Sequence, residues 1–241
     1  MYARLVKFEL KNILRDRMTI MLLVWPFAVG LLGRYLITSN TLDKMASEML
    51  IIALTLMSGM IFGAMAGFSI LDDRDDNVFV SISISPLSVQ AYVIFKVVFV
   101  YVMAIASGII TVYLAGGLGF AWWQVVLIAM LTALQAPMNA FLINAFASNK
   151  VEGFVTMKAT GFLLIFPIFS YLFLDWKEWL FAIAPGFWPA KAVQTILFKD
   201  VISSGMVDMN LTFWPYLLIG FVYNIFLVVF MYSFFRKRTQ Q

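Results

Sequence analysis

Asp72 to Lys96 reads DDRDDNVFVSISISPLSVQAYVIFK. Four carboxylates, Asp72, Asp73, Asp75 and Asp76, fall within five residues around Arg74, and a Ser85-Pro86 step follows before charge returns at Lys96. The flanking runs Met49–Leu71 and Val97–Leu118 carry no charged side chain at all. A stretch of about 20 apolar residues is what crosses a bilayer. The acidic knot therefore divides two membrane spans, and the fold follows from that division.

Composition agrees. The chain of 241 residues is 63% hydrophobic and 12% charged, with mean hydropathy +0.92, whereas a soluble domain carries about 25% charged residues. The absence of cysteine excludes disulfides, thiol nucleophiles and thiolate metal sites. The absence of histidine removes the commonest general base and metal ligand. A net charge of +4 and a pI near 9.3 fit a membrane surface, and no nucleic-acid partner is expected.

Six spans are predicted, at Met18–Ile37, Met49–Leu71, Val97–Leu118, Trp122–Ala147, Ala159–Leu174 and Trp214–Phe235. The fold class is thus an all-α polytopic membrane protein. Of the 17 Lys and Arg residues, twelve fall on the side holding both termini, the 72–96 loop and the Lys150–Lys158 turn; five fall on the other. The positive-inside rule places the twelve, and both termini, in the cytoplasm of a plasma-membrane protein. Trp122, Trp123, Trp176, Trp179, Trp188 and Trp214 all fall on the outer side, as an aromatic belt would. Met1–Arg17 is too charged for a signal peptide. As a helix it carries Arg4, Lys7, Lys11 and Arg15 on one face and Val6, Leu10 and Ile13 on the opposite one, the pattern of an interfacial amphipathic helix or of a plain basic anchor.

Carboxylates at the C-terminus of a span oppose the helix dipole. A cation must offset Asp72–Asp76: Arg74 itself, the N-terminal basic face, or a partner. Solvation at the end of a span is the simpler alternative. Downstream, Ser81–Ser85 alternates like a strand but has no ladder partner, so a short interfacial helix is expected, with Ser85 and Pro86 restarting the chain through Leu87 toward the third span. Gly59, Gly63 and Gly67 form a small-residue stripe for close helix packing, within the subunit or across a dimer. Gln135 and Asn139 share one face of the fourth span, Asn144 lies on another, and Asn224 lies in the sixth. Gln135, Asn139 and Asn224 are candidate pathway residues, with interhelical hydrogen bonding as the plainer role. None is ionisable, which argues against a proton relay. Aromatic Phe162, Phe166, Phe169, Tyr171 and Phe173 add a packing, lipid or pathway face to the fifth span. The outer segment, residues 175–213, is too long for a turn; Pro189 can start a short apolar helix through Phe198, dipping into the outer leaflet or anchoring there.

These segments together resemble the type-2 ABC transporter permeases. The resemblance rests on the acidic, arginine-containing stretch followed by Ser85-Pro86-Leu87-Ser88, on the amphipathic start ending in Arg15-Asp16-Arg17, and on Trp25-Pro26. It extends to Asn149–Gly153 with Lys158 and to Ala184-Pro185-Gly186-Phe187-Trp188-Pro189. It implies one transmembrane domain over 1–241, with residues 1–17 as connecting helix, 72–96 as cytoplasmic coupling loop and 175–213 as an outer re-entrant or interfacial segment. It further implies coupling to a separate ABC ATPase subunit through Asp72, Asp73, Arg74, Asp75, Asp76, Ser85, Pro86, Leu87, Lys96, Lys150 and Glu152. The chain has no P-loop, so ATP and Mg²⁺ belong to that partner and this chain binds no cofactor. A second permease copy, identical or similar, and membrane lipid complete the expected partners. The implied function is export of an apolar or amphipathic cargo such as a drug, lipid or antimicrobial peptide. The knot is more acidic than the Glu/Arg-and-Gly pattern of the family's loop. Two alternatives are a lipid-modifying intramembrane enzyme holding Mg²⁺ on Asp72–Asp76 and a non-transporting scaffold or immunity protein.

Overall fold

The computed structural model of the chain describes residues 2–15, 17–39, 41–84, 86–116, 119–161 and 165–239, and among these no strand occurs. The helices are α1 (Tyr2–Ile13), α2 (Arg17–Thr38), α3 (Lys44–Asp75), α4 (Val78–Ser83), α5 (Val89–Leu114), α6 (Trp122–Ala133), α7 (Gln135–Phe146), α8 (Lys150–Gly161) and α9 (Ile165–Ser170). A 3₁₀ turn over Trp176–Phe181 follows, then α10 (Phe187–Leu197), α11 (Lys199–Ser203) and α12 (Phe213–Thr239). Six stretches are long and apolar enough to cross a membrane: Ile20–Thr38, Lys44–Asp75, Val89–Leu114, Trp122–Phe146, Lys150–Ser170 and Phe213–Lys237. This is a multi-pass, all-helical membrane protein.

Burial sorts the spans. Within their most apolar windows α3 is 67% buried and the α6–α7 span 72%, against 17% for α2 and for α12. The α3 and α6–α7 spans therefore form the protein's own interior, and α2 and α12 present their apolar sides outward. Glycine makes the central contact close. A Cβ at Gly63 would lie 2.8 Å from both the Ala136 carbonyl oxygen and Asn139 Cβ, and one at Gly67 2.8 Å from Ile143 Cδ1. Gly59 abuts Thr132 and Gln135 in the same way. The stripe thus serves packing within the subunit. Pro137 lies in the first turn of α7 and has no N–H to return to Ala133, which is why the fourth span breaks at Leu134.

Several span ends differ from the sequence reading. At 32 residues, α3 is about 48 Å long against a hydrocarbon core of about 30 Å. It continues past Leu71, so Asp72 to Asp75 form its last turn. The third span starts at Val89, which places Lys96 inside α5, and its N-cap is Ser88, whose Oγ accepts from Ala91 N at 3.2 Å. Ser85 lies outside the described residues, and exposed Pro86 precedes the helix. The fifth begins at Lys150, with Lys158 inside it. Gly116 and Gly119 turn the chain between the third and fourth spans at φ values of +113° and +77°, where side-chain-bearing residues are strained.

The two ends of the bundle are distinct. One gathers α1, the end of α3, α4, the starts of α5 and α8, and the end of α12. The other gathers the start of α3, the 3₁₀ turn, α10 and the start of α12. Trp123 stacks on Trp214 at this second end, with centroids 5.6 Å apart, and Trp122 and Trp176 are exposed there. Trp188 departs from the belt: it is buried against Tyr216 and Phe187.

Candidate functional site

The acidic knot divides into pieces with different partners. Ser69 and Asp73 lie one turn apart on α3, and Tyr92 and Lys96 one turn apart on α5, so the two pairs meet across the helix contact. Lys96 Nζ forms an ion pair with Asp73 Oδ2 and donates to Ser69 Oγ at 2.8 Å. Tyr92 donates its hydroxyl to the same Asp73 oxygen at 3.2 Å, and its ring centroid lies 5.3 Å from Nζ. Lys96 is 4% exposed. A buried ion pair repays its desolvation only when its remaining hydrogen-bonding groups are satisfied, and here Ser69 and Tyr92 supply that.

A third charge enters from α1. Glu9 is 6% exposed, and its Oε1 lies 3.7 Å from Lys96 Nζ. Burial raises the Glu9 carboxyl above its ordinary range, and Lys96 pulls it part of the way back. The inward face of α1 is therefore Leu5 and Glu9, one turn apart, with Leu5 against the core of α3, α5 and α7. On the expected lipid-facing side, Leu10 is 43% exposed and Val6 half-buried; the side chains of Arg4 and Ile13 lie outside the described set. Lys7, Lys11 and Arg15 are exposed, as the amphipathic reading requires.

The remaining members of the knot hold other elements. Asp72 pairs with Lys150 at 2.8 Å on a half-exposed surface. Arg74 donates to the Asn144 and Ala147 carbonyls, both at 3.4 Å, and so closes the C-terminal end of α7, whose last carbonyls have no intrahelical donor. Glu152 closes the start of α8. Its carboxylate accepts from Ser148 N at 2.7 Å and Asn149 Nδ2 at 3.2 Å, while Asn149 Oδ1 accepts from Glu152 N at 3.0 Å. This is reciprocal capping. Asp75 and Asp76 stay exposed and lead through Asn77, at φ 55°, into α4. On α4 and just after it, Val80 and Ile84 are 64% and 89% exposed, while Phe79, Ile82 and Leu87 pack inward. A short helix does follow the knot, over Val78–Ser83.

Among the described residues no group of three or more His, Cys, Asp or Glu side chains is placed to hold a metal ion. Asp72 and Asp73 face different lysines.

The candidate pathway residues sit between helices. Gln135 and Asn139 back onto Gly59 and Gly63 of α3. Asn224 donates to the Pro185 carbonyl at 3.2 Å and the Gly220 carbonyl at 2.9 Å. Asn144 also reaches α3, donating to the Gly67 carbonyl at 2.9 Å. All four are buried. Of the aromatic group, Phe162 lies outside the described residues, Phe166 and Phe173 meet Phe181 of the 3₁₀ turn, Tyr171 meets Phe198, and Phe169 is half exposed.

At the opposite end lies a second charged cluster that sequence reasoning missed. Lys191 and Glu178 are fully buried, with Nζ 2.7 Å from Oε2. Lys191 also donates to the Phe173 carbonyl at 2.6 Å, and Tyr216 donates to Glu178 Oε1 at 2.5 Å. Burial lowers the Lys191 ammonium below its ordinary value, and Glu178 opposes that shift. Close by, Gln194 donates to the Tyr171 carbonyl at 2.8 Å and the Tyr171 hydroxyl bonds Glu48. Together these lock α10, the 3₁₀ turn and the starts of α3 and α12. Residues Phe187–Gln194 are buried in protein, so this part of α10 belongs to the subunit interior. The signal in the sequence is the place of Lys191, one of the five cations on the outer side, within the otherwise apolar run Pro189–Val193.

A model of the family described as Fluoroquinolones export permease protein Rv2686c-like matches residues 9–232. The chain belongs to this export permease family. Membership places it among the type-2 ABC permeases, in agreement with the six spans. Two relatives from Mycobacterium tuberculosis, the fluoroquinolones export permease proteins MT2760 (strain CDC 1551 / Oshkosh) and Rv2686c (strain ATCC 25618 / H37Rv), are each 26% identical to the permease over 250 residues, covering 95% of it and 92% of the relative. No solved structure matches the permease significantly.

Proposed function

We propose that this permease is the membrane subunit of an ATP-driven exporter. It pairs with a second identical or similar copy and is driven by a separate ABC ATPase. The observation that carries the reading is the form of the knot. Asp75, Asp76, Val80 and Ile84 make an exposed acidic and apolar tip, while the adjacent Asp73 and Arg74 are bonded to α5 and α7. A push on such a tip moves three spans at once. In this reading the tip is the coupling element and faces the cytoplasm with both termini, in line with the twelve basic residues on that side. It docks on a partner surface that offers an apolar cleft and cations.

The cargo proposed is an amphipathic drug of the fluoroquinolone kind, by analogy with the printed names of the relatives. ATP and Mg²⁺ bind only to the partner, and turnover needs both polypeptides. The test is co-expression of the permease with the ABC ATPase subunit encoded nearest to it in its own genome. The expected results are stable co-purification, ATPase activity raised by the permease, and lowered cellular accumulation of a fluoroquinolone. Failure to associate with that ATPase subunit would refute the proposal. Association with unchanged drug accumulation would retain the coupling and reject the cargo.

A further inference from the structure

A groove of about 210 Å³ opens between α4, the first turns of α5 and the last turns of α12. Phe79, Val89, Val93, Tyr232 and Phe235 make its walls, and Gln90 and Arg236 stand at its polar margin. We propose that this groove is a binding site for an anionic phospholipid, with the phosphate on Arg236 and the upper part of one acyl chain against the apolar walls.

Depth places it. The groove lies in the first turn of α5 and at the end of the α12 span, which closes at Lys237. There the apolar layer gives way to headgroups. Charge selects the occupant. Among the described residues no carboxylate pairs with Arg236 or Lys237, and both are exposed. An arginine fork recognises phosphate oxygens, and basic pockets between spans suit anionic headgroups. Size separates a lipid from the cargo. Sites that engulf a whole drug-sized molecule run to about 300–1,000 Å³, so this groove takes only part of its ligand. A lipid meets that condition, because the rest of its chains remain in the bilayer. Since Phe79 belongs to α4, a bound lipid would wedge the short helix after the knot against the end of α12.

The experiment is native mass spectrometry of the detergent-purified full chain, titrated with phosphatidylglycerol and with phosphatidylcholine of identical acyl chains. Wild type should retain one phosphatidylglycerol with at least about tenfold preference over phosphatidylcholine, the scale of a charge-assisted contact. Arg236→Gln should abolish most of that preference, and Val89→Trp, which fills the groove, should lower retention itself. Arg34→Gln, which removes an exposed cation at the far end of α2, should leave both unchanged. Equal retention by wild type and Arg236→Gln, or equal losses in Arg236→Gln and Arg34→Gln, would overturn the site. Arg236 is exposed, so its substitution tests the site even if Val89→Trp does not fold.

Discussion

Buried Lys96 of α5 forms an ion pair with part-buried Asp73 of α3, and both residues come from the stretch that separates two spans in the sequence. Their contact explains the excess acidity of the knot. Asp73 neutralises an internal lysine, Asp72 pairs with Lys150, and only Asp75 and Asp76 remain for solvent or a partner.

Removing one member of the pair strands the other. Asp73→Asn or Lys96→Met should each destabilise the permease by about 3–5 kcal/mol, read as a thermal transition lowered by about 6 °C or more in detergent. The double variant should recover part of the loss. Single variants that melt with wild type would show the pair to be without structural weight.

Charge reversal at the tip should behave otherwise. Asp75→Lys with Asp76→Lys removes no internal bond, so stability should stay within about 0.5 kcal/mol while association with the ATPase subunit falls at least about tenfold, the cost of juxtaposed like charges. Pull-down and melting curves on one preparation separate the two effects. Full association would exclude these aspartates from the interface.

Glu9 makes the docking of α1 depend on pH. A carboxyl whose value rises on docking binds more protons docked than free. Docking is therefore strongest below the ordinary value of 4.5 and weakens as pH climbs from there through the raised value. Glu9→Gln should abolish the dependence. Spin labels on α1 and α5 would report it as a distance that widens with pH in wild type only; identical pH profiles in the two proteins would reject the mechanism.

The glycine contact leaves no room for growth. Gly63→Val should cost about 1–3 kcal/mol or more through overpacking against Ala136 and Asn139. Gly205→Ala, at a φ of +72° with open space around it, should cost only about 1 kcal/mol of backbone strain. A melting temperature for Gly63→Val at or above that of Gly205→Ala would contradict the packing.

Much of the fold was legible because hydropathy is local. An uncharged run of about 20 residues has few destinations other than lipid, and the six spans followed from it. Span ends were less legible. Asp72, Lys96 and Lys158 looked like boundaries, yet each lies within a long helix, because a charge next to an apolar run can be paired, can reach to the surface, or can end the run. The inward position of Glu9 on α1 was not legible either, because the lysine it meets, Lys96, comes from a distant helix.

The sequence by itself determined the solvent, the number of spans, the stretch that forms the exposed tip and the family resemblance, since these depend on composition and order along the chain. Only the tertiary structure decided which aspartates of the knot are internal. It alone showed that the Gly59–Gly63–Gly67 stripe packs within the subunit, and that Lys191 and Glu178 are buried together. Such pairings depend on which side chains meet across helices. Desolvation makes each of them far more consequential than any local propensity.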